Sequence, residues 1–347
     1  MSDLSPFSDA QAYRARDIEE IRGVRMAAAF GPPAEEYQAA RQGAALVDRS
    51  DRGLLIVRGR DRAAWLNNLV TNAVTLLGEN MGQYAFAANV QGRILFDLNI
   101  LCLRDAFWLD LDRVALPVAA AHFDRHLISE DVHIEDASGH VARLGCCGPQ
   151  TRTIAASLGV ANLPVMGPLA NVPLEGDVRL VRHDFAGLMG FDLVVPRGQA
   201  AAWWDRIAQS GARPIGYQTL DVLRIEAGIP WLGRDLDDSV LPPETGQRER
   251  AINDRKGCYL GQEIIERMRA RGALARRLVQ LRVSQGEGLT LPAPLTRDAR
   301  NIGRVTSLVR HPTQPHWVGL GYLSASVTGF AEITVGAPPR PVTVCST

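Results

Sequence analysis

Residues 255–263 read Arg255-Lys256-Gly257-Cys258-Tyr259-Leu260-Gly261-Gln262-Glu263, which sets one thiol between two glycines, behind two cations and ahead of a helical stretch. Positive charge on Arg255 and Lys256, and the partial positive charge of a following helix N-terminus, favour a thiolate at Cys258. Gly257 and Gly261 open turn conformations closed to other residues, so the sulfur can approach a bound molecule with no Cβ between them. From Gln262 to Arg271 the pattern is helical. Ile264, Ile265 and Met268 share a face, Glu263 and Arg267 stand at i,i+4, and Gly272 is placed to cap the C-terminus. The competing reading of Cys258 is a small buried hydrophobe, the usual fate of a free cysteine.

Composition narrows the class. A chain of 347 residues with 46% hydrophobic and 22% charged content has material for about two to three cored domains. Lys plus Arg equals Asp plus Glu at 38 each, so the overall charge does not recruit nucleic acid. The arginines at 267, 269, 271, 276 and 277 form the one dense basic run, and no aromatics interleave with them as single-stranded RNA stacking would require. Direct RNA binding is not expected. The opening residues Met1 to Asp9 lack a basic region followed by an apolar one, and no later run of roughly 18 apolar residues spans a membrane, so the chain reads as cytoplasmic. The cysteines at 102, 146, 147, 258 and 345 contain no CxxC and no zinc spacing, and no metal site is expected. Cys102 and Cys146-Cys147 fall in apolar runs and read as core. No GxGxxG after a strand, P-loop or HExxH is present.

Periodicity predicts an amphipathic helix over Asp9 to Phe30, a strand at Leu54 to Val57, and a helix opened by Asp61. Gln83 to Ala88 and Arg93 to Leu101 form a hairpin around Asn89-Val90-Gln91-Gly92, with Phe107, Leu109 and Leu111 marking a third strand. Helices follow at Leu116 to Leu127, Gln150 to Ser157 and Gln199 to Gln209. Strands are expected at Val132 to Glu135, Arg143 to Cys147, Val178 to His183 and Phe191 to Val195. Beyond Leu278 the runs Leu278 to Val283, Ile302 to Val309 and Trp317 to Leu323 suggest a small all-β domain.

Lys256-Gly257-Cys258-Tyr259-x-Gly261-Gln262-Glu263 resembles the signature of the YgfZ family of folate-binding proteins, part of the superfamily of the glycine-cleavage T-protein, an aminomethyltransferase that uses tetrahydrofolate. Further likeness to the T-protein lies in Glu36-Tyr37 through Asp48-Arg49-Ser50, Gly92 through Leu98, Gly190-Phe191-Asp192, Leu223 through Gly228 and Ile302 through Ser307. The resemblance implies an α+β protein in which two α+β domains and a C-terminal β-barrel surround a central folate-binding cavity. In that scheme residues 1–145, completed by about 215–275, form the first domain, 146–214 the second and 276–347 the barrel.

Within that resemblance Asp97 matches the second of the T-protein's paired aspartates, the one near the reacting folate nitrogen, while Phe96 replaces the first. A carboxylate in an apolar strand is costly to bury without a donor or cation; the alternative is that Asp97 faces solvent on the other side of the strand. Asp192 falls where the T-protein has a glutamate that hydrogen-bonds the pterin, the alternative being an exposed strand aspartate. Arg224 and Glu226 are folate contacts or a surface charged pair. The motif residues Lys256, Gly257, Tyr259, Gly261, Gln262 and Glu263 join the expected folate-binding set around Cys258.

Three functions follow from these expectations. The first is a YgfZ-like tetrahydrofolate-binding protein that supports iron-sulfur cluster assembly or repair, and tRNA modification indirectly, through the Cys258 thiol; assembly proteins or cluster-dependent enzymes would be its partners. The second is a T-protein-type aminomethyl- or methyltransferase acting on a small amine, with Asp97 positioning the nucleophilic nitrogen. The third is a folate-binding scaffold without chemistry.

Overall fold

The period-two runs of residues 82–112 form antiparallel strands Gly82–Ala88, Ile94–Cys102 and Phe107–Asp112 in a computed structural model that describes residues 3–11, 13–271 and 274–346. Strands Arg52–Arg58 and His133–Asp136 complete this first, five-stranded sheet. Phe96, Leu98 and Ile100 point to one side, where Trp65 and Leu66 of helix Arg62–Asn67 and Phe123 of helix Leu116–Arg125 cover them. The opposite face carries Tyr84, Asp97, Asn99, Trp108 and Asp110, because cross-strand partners share a face and Tyr84 pairs Asn99, Phe86 pairs Asp97, and Asn99 pairs Asp110.

A second sheet runs in the order Asn171–Pro173, Arg179–Arg182, Gly190–Pro196, Val141–Cys147, Ala45–Asp48, Arg213–Ile215. Helices Thr151–Ser157 and Ala200–Gln209 cover its outer face, burying Ile154, Trp204 and Ile207 against Leu144, Leu180, Phe191 and Leu193. Its inner face turns Arg143, Arg179, Asp192 and Val194 toward the first sheet. Sheet membership does not follow chain order. Ala45–Asp48 and Val141–Cys147 both lie in the interior of the second sheet, so the division expected at residues 145 and 146 passes through a strand. A short run buried on both faces pairs with whatever edge the fold offers, and its sequence neighbours do not announce which.

The N-terminal segment also departs from expectation. Instead of a helix over Asp9 to Phe30, strands Asp17–Ile21 and Val24–Ala29 form a hairpin, with Asp3–Leu4 pairing parallel to the latter. Arg22 and Gly23, both at positive φ, make its turn. Met26, Ala27 and Ala28 are buried against the body of the protein, and alanine, a helix former by propensity, yields to that tertiary context. Arg22 ties the turn to Asp112 of the first sheet.

The expected all-β region is a closed six-stranded barrel of Arg276–Val283, Ala293–Arg297, Arg300–Arg310, Trp317–Ser324, Thr334–Val335 and Arg340–Ser346. Helix Tyr217–Glu226 lies between the barrel and the two sheets. Phe86, Ile94, Ile225, Tyr259, Leu320 and Tyr322 meet there in one apolar cluster. Helix Gln262–Arg271 forms as expected; the cap expected at Gly272 lies outside the described residues. Among the described residues no helix is long and apolar enough to cross a membrane.

Trp204 is fully buried, and its ring lies 5.2 Å from Phe7, 5.0 Å from Tyr13 and 5.9 Å from Phe30, so one side chain holds the N-terminal segment to helix Ala200–Gln209. Trp204→Ala is expected to cost about 3–5 kcal/mol in urea unfolding and to make residues 3–30 the first site of limited proteolysis. Unchanged stability and cleavage elsewhere would show that this anchor is unimportant.

Candidate functional site

The two inner faces enclose a polar layer built around three carboxylates. Asp110 accepts from Arg52 Nε at 2.9 Å, Arg143 Nη1 lies 2.7 Å from its other oxygen, and Asn99 Nδ2 donates to it at 2.7 Å. Asp192, fully buried, has His183 Nδ1 at 2.7 Å and Arg49 and Arg143 each at 3.5 Å. Burial alone would raise both pKa values. Arg143 and Arg52 overcome it at Asp110, and Arg49, His183 and Arg143 at Asp192, so both acids are held below the ordinary carboxylate range. Asp97 differs from them. It is half-buried, and among the described residues its hydrogen-bond partner is the Tyr84 hydroxyl, which donates to Oδ2 at 3.1 Å. Burial, reinforced by the charge of Asp97, pushes Tyr84 well above its usual value and keeps that hydroxyl protonated. The exposed Arg250 guanidinium lies 4.1 Å from the centre of the Tyr84 ring. Half-buried Trp108 lies on the same face as Asp97, with Arg179 of the second sheet 5.7 Å from its ring.

The solvent-facing alternatives for two candidates fall away. Asp97 lies on the inner face and not on a solvent side, and Asp192 is no exposed strand aspartate. The carboxylate of Asp192 is already committed to two guanidiniums and an imidazole, so a ligand reaching it must displace one of them.

The loop carrying Cys258 is built differently from its sequence reading. Lys256 was expected to sit beside the sulfur; its Nζ instead donates to the carbonyls of Asn67, Val70 and Asn72 at 2.5, 2.6 and 2.9 Å, closing the C-terminal end of helix Arg62–Asn67. Burial pushes this amine down to about 7, and the three carbonyls oppose that shift because only the ammonium carries three hydrogens. Tyr259 is buried under Lys256, its N–H donating to Gln262 Oε1 at 3.3 Å, and the Leu260 N–H reaches Asn68 O at 3.0 Å. Gly261, at φ +81, sits on the hairpin tip, and a Cβ there would lie 2.5 Å from Asn89 O and 2.9 Å from Gly92 Cα. Gly257 has open space around it and an ordinary φ. Cys258 itself is exposed, which overturns the buried-hydrophobe reading. Glu263 pairs with Arg267 at 2.6 Å on the exposed helix surface, as expected.

Arg224 and Glu226 belong to neither group. Arg224 is fully buried, not a surface pair: Asp221 lies at 2.7 Å, Ser307 Oγ at 2.7 Å, Asp235 is in contact, and the Trp231 ring lies 4.5 Å away. The segment 229–235 folds back over the helix and supplies partners that helical spacing alone does not show. Glu226 faces a different cleft, accepting from the Tyr37 hydroxyl at 2.9 Å and Arg41 at 2.9 Å, with His311 Nε2 at 3.0 Å.

Residues 7–252 match the GCVT N-terminal domain. The chain belongs to that family. Among its relatives, an aminomethyltransferase of Geobacillus kaustophilus is 30% identical over 90% of this chain and 88% of the relative. One of Rubrobacter xylanophilus is 27% identical over 97% and 91%. The crystal structure of the glycine cleavage system aminomethyltransferase T from Bartonella henselae superposes with a TM-score of 0.90, covering 100% of this chain and 97% of that one at 20% identity, which shows a shared fold.

In this GCVT-family chain the candidate-site residues that sequence reasoning missed include Arg52, Tyr84, Asn99, Asp110 and Arg143. Asn99 and Asp110 carried a signal, since each is a polar residue inside an apolar strand in phase with Asp97. Arg52 and Arg143 carried none. The loop geometry predicts opposite outcomes for its two glycines. Gly261→Ala should lose about 1–3 kcal/mol in urea unfolding because backbone blocks its Cβ, whereas Gly257→Ala should stay within about 0.5 kcal/mol of wild type. Equal losses at both would contradict the docking of this loop on the hairpin tip.

Proposed function

We propose that this GCVT-family chain is a tetrahydrofolate-dependent one-carbon transferase of the T-protein type, acting on a small amine, with Asp97 as its central carboxylate. One observation carries the reading: Asp110 and Asp192 are bound by arginines, whereas Asp97 is half-buried with a neutral hydroxyl as its hydrogen-bond partner among the described residues. The donor set suits folate, since a partly open carboxylate beside the Tyr84 ring matches a flat heterocycle bearing N–H groups. Bound tetrahydrofolate would supply the nitrogens that take up a one-carbon unit. Tyr84 fixes one Asp97 oxygen by donating to it. The other oxygen is placed to accept an N–H and to stabilise positive charge developing at that nitrogen. The names of the aminomethyltransferase relatives support this reading over cluster maintenance.

A second reading attaches to Cys258, exposed in a loop that Lys256 and Gly261 pin and that leaves open space at Gly257. In that reading the chain is a YgfZ-like folate-binding protein whose thiol supports iron-sulfur clusters. The two readings separate in a transfer assay with tetrahydrofolate and an amine donor, one-carbon-loaded folate being quantified by chromatography. Asp97→Asn should lower turnover by about 10²- to 10³-fold with the fold intact by circular dichroism, while Cys258→Ser keeps the wild-type rate. Transfer insensitive to Asp97→Asn, or no transfer by wild type together with a Cys258-dependent rescue of a cluster-dependent enzyme, would move the function to the thiol.

A further inference from the structure

A cleft of about 510 Å3 opens where the base of the Asn89–Gly92 turn, residues 239–244 and the barrel meet. Arg93, Arg276 and Arg304 line it from three separate elements, and all three converge on Ser239. The Ser239 carbonyl accepts from Arg93 Nη1 at 2.5 Å and from an Arg276 N–H, while its Oγ accepts from Arg304 Nη2 at 2.9 Å. The Arg276 and Arg304 guanidiniums lie 5.1 and 5.9 Å from the Tyr322 ring. Two carboxylates answer these three cations, Glu244 at 3.0 Å from Arg276 and Asp237 at 3.5 Å from Arg304. Among the described residues Arg304 Nε is buried without a hydrogen-bond partner.

Gathering three guanidiniums on one serine costs electrostatic free energy, and partly buried charges are screened less than exposed ones. Packing alone gives no reason for the arrangement, since apolar side chains would fill the same junction without repulsion. Guanidinium forks match carboxylate and phosphate oxygens, and several at one cleft match a ligand with more than one such group. We propose that this cleft binds a small ligand carrying two or more carboxylate or phosphate groups. The site is distinct from the Asp97 face, and its assignment does not depend on the folate reading.

Calorimetry on the full chain with two probes, tri-γ-glutamate and inorganic triphosphate, tests it. At about 50 mM salt at least one probe should bind, and its affinity should fall about tenfold or more at about 500 mM salt. Arg93→Gln and Arg304→Gln should each weaken it about tenfold, with Arg304→Lys intermediate. Arg267→Gln, the same charge change on the exposed helix, should leave affinity unchanged. All variants must keep the wild-type thermal midpoint, and Arg304→Lys guards against loss of folding in the glutamine variant. Binding of the glutamate probe alone supports a carboxylate ligand; binding of triphosphate alone supports a phosphate ligand. Failure of both probes to bind at low salt, or an equal effect of Arg267→Gln, overturns the proposal.

Discussion

Asp110 is bonded from both sides of the molecule at once, by Arg52 of its own sheet at 2.9 Å and by Arg143 of the facing sheet at 2.7 Å, and the arrangement of the candidate site depends on that bridge. Breaking a buried ion pair by removing one partner generally costs about 3–5 kcal/mol, because an uncompensated charge is left behind. The two sheets are therefore held in one relative position by ionic contacts that tolerate little sliding, continued through Arg143 to Asp192 and on to Arg49 and His183. Such a network consumes carboxylates. Asp97, two residues from Asn99 on the same strand face, has the neutral Tyr84 hydroxyl as its hydrogen-bond partner among the described residues, and the Arg52 charge acts on it only through space.

The Cys258 loop shows how most residues of a motif can serve as an anchor while one is left exposed. Lys256 closes a helix end, Tyr259 is buried, and Gly261 permits backbone-to-backbone contact with the hairpin tip. Those three residues explain most of the motif as an anchor. What they hold in place is an exposed thiol next to an unobstructed glycine. The same hairpin carries Gly92 under this loop at its tip and Asp97 on its strand, so the thiol loop and the carboxylate share one rigid support.

How far the sequence disclosed this follows from which contacts are local. The strands of residues 82–112 were legible because one face is buried and the side-chain period is two. The barrel was legible from short apolar runs between Gly and Pro turns. Asp97 stood out because a charge in an apolar strand demands an explanation. By contrast, Ala45–Asp48 is buried throughout and carries no mark of its partner strand. Residues 9–30 were misread because alanine-rich runs fit a helix as well as a buried strand. Arg143 and Arg52 looked like any arginines in the sequence, since their shared acid lies at position 110 and becomes a neighbour only once two sheets pack. Lys256 was misassigned for the opposite reason, being two residues from the sulfur in sequence yet directed at carbonyls 184 to 189 residues away.

The most direct test of the account is a crystal structure of the chain with 5-formyltetrahydrofolate. The account predicts the ligand's ring system on the inner face, with an Asp97 oxygen accepting one of its N–H groups and the Tyr84 hydroxyl still on the other oxygen. A folate bound elsewhere with no contact to Asp97, in the Cys258 loop for instance, would contradict it.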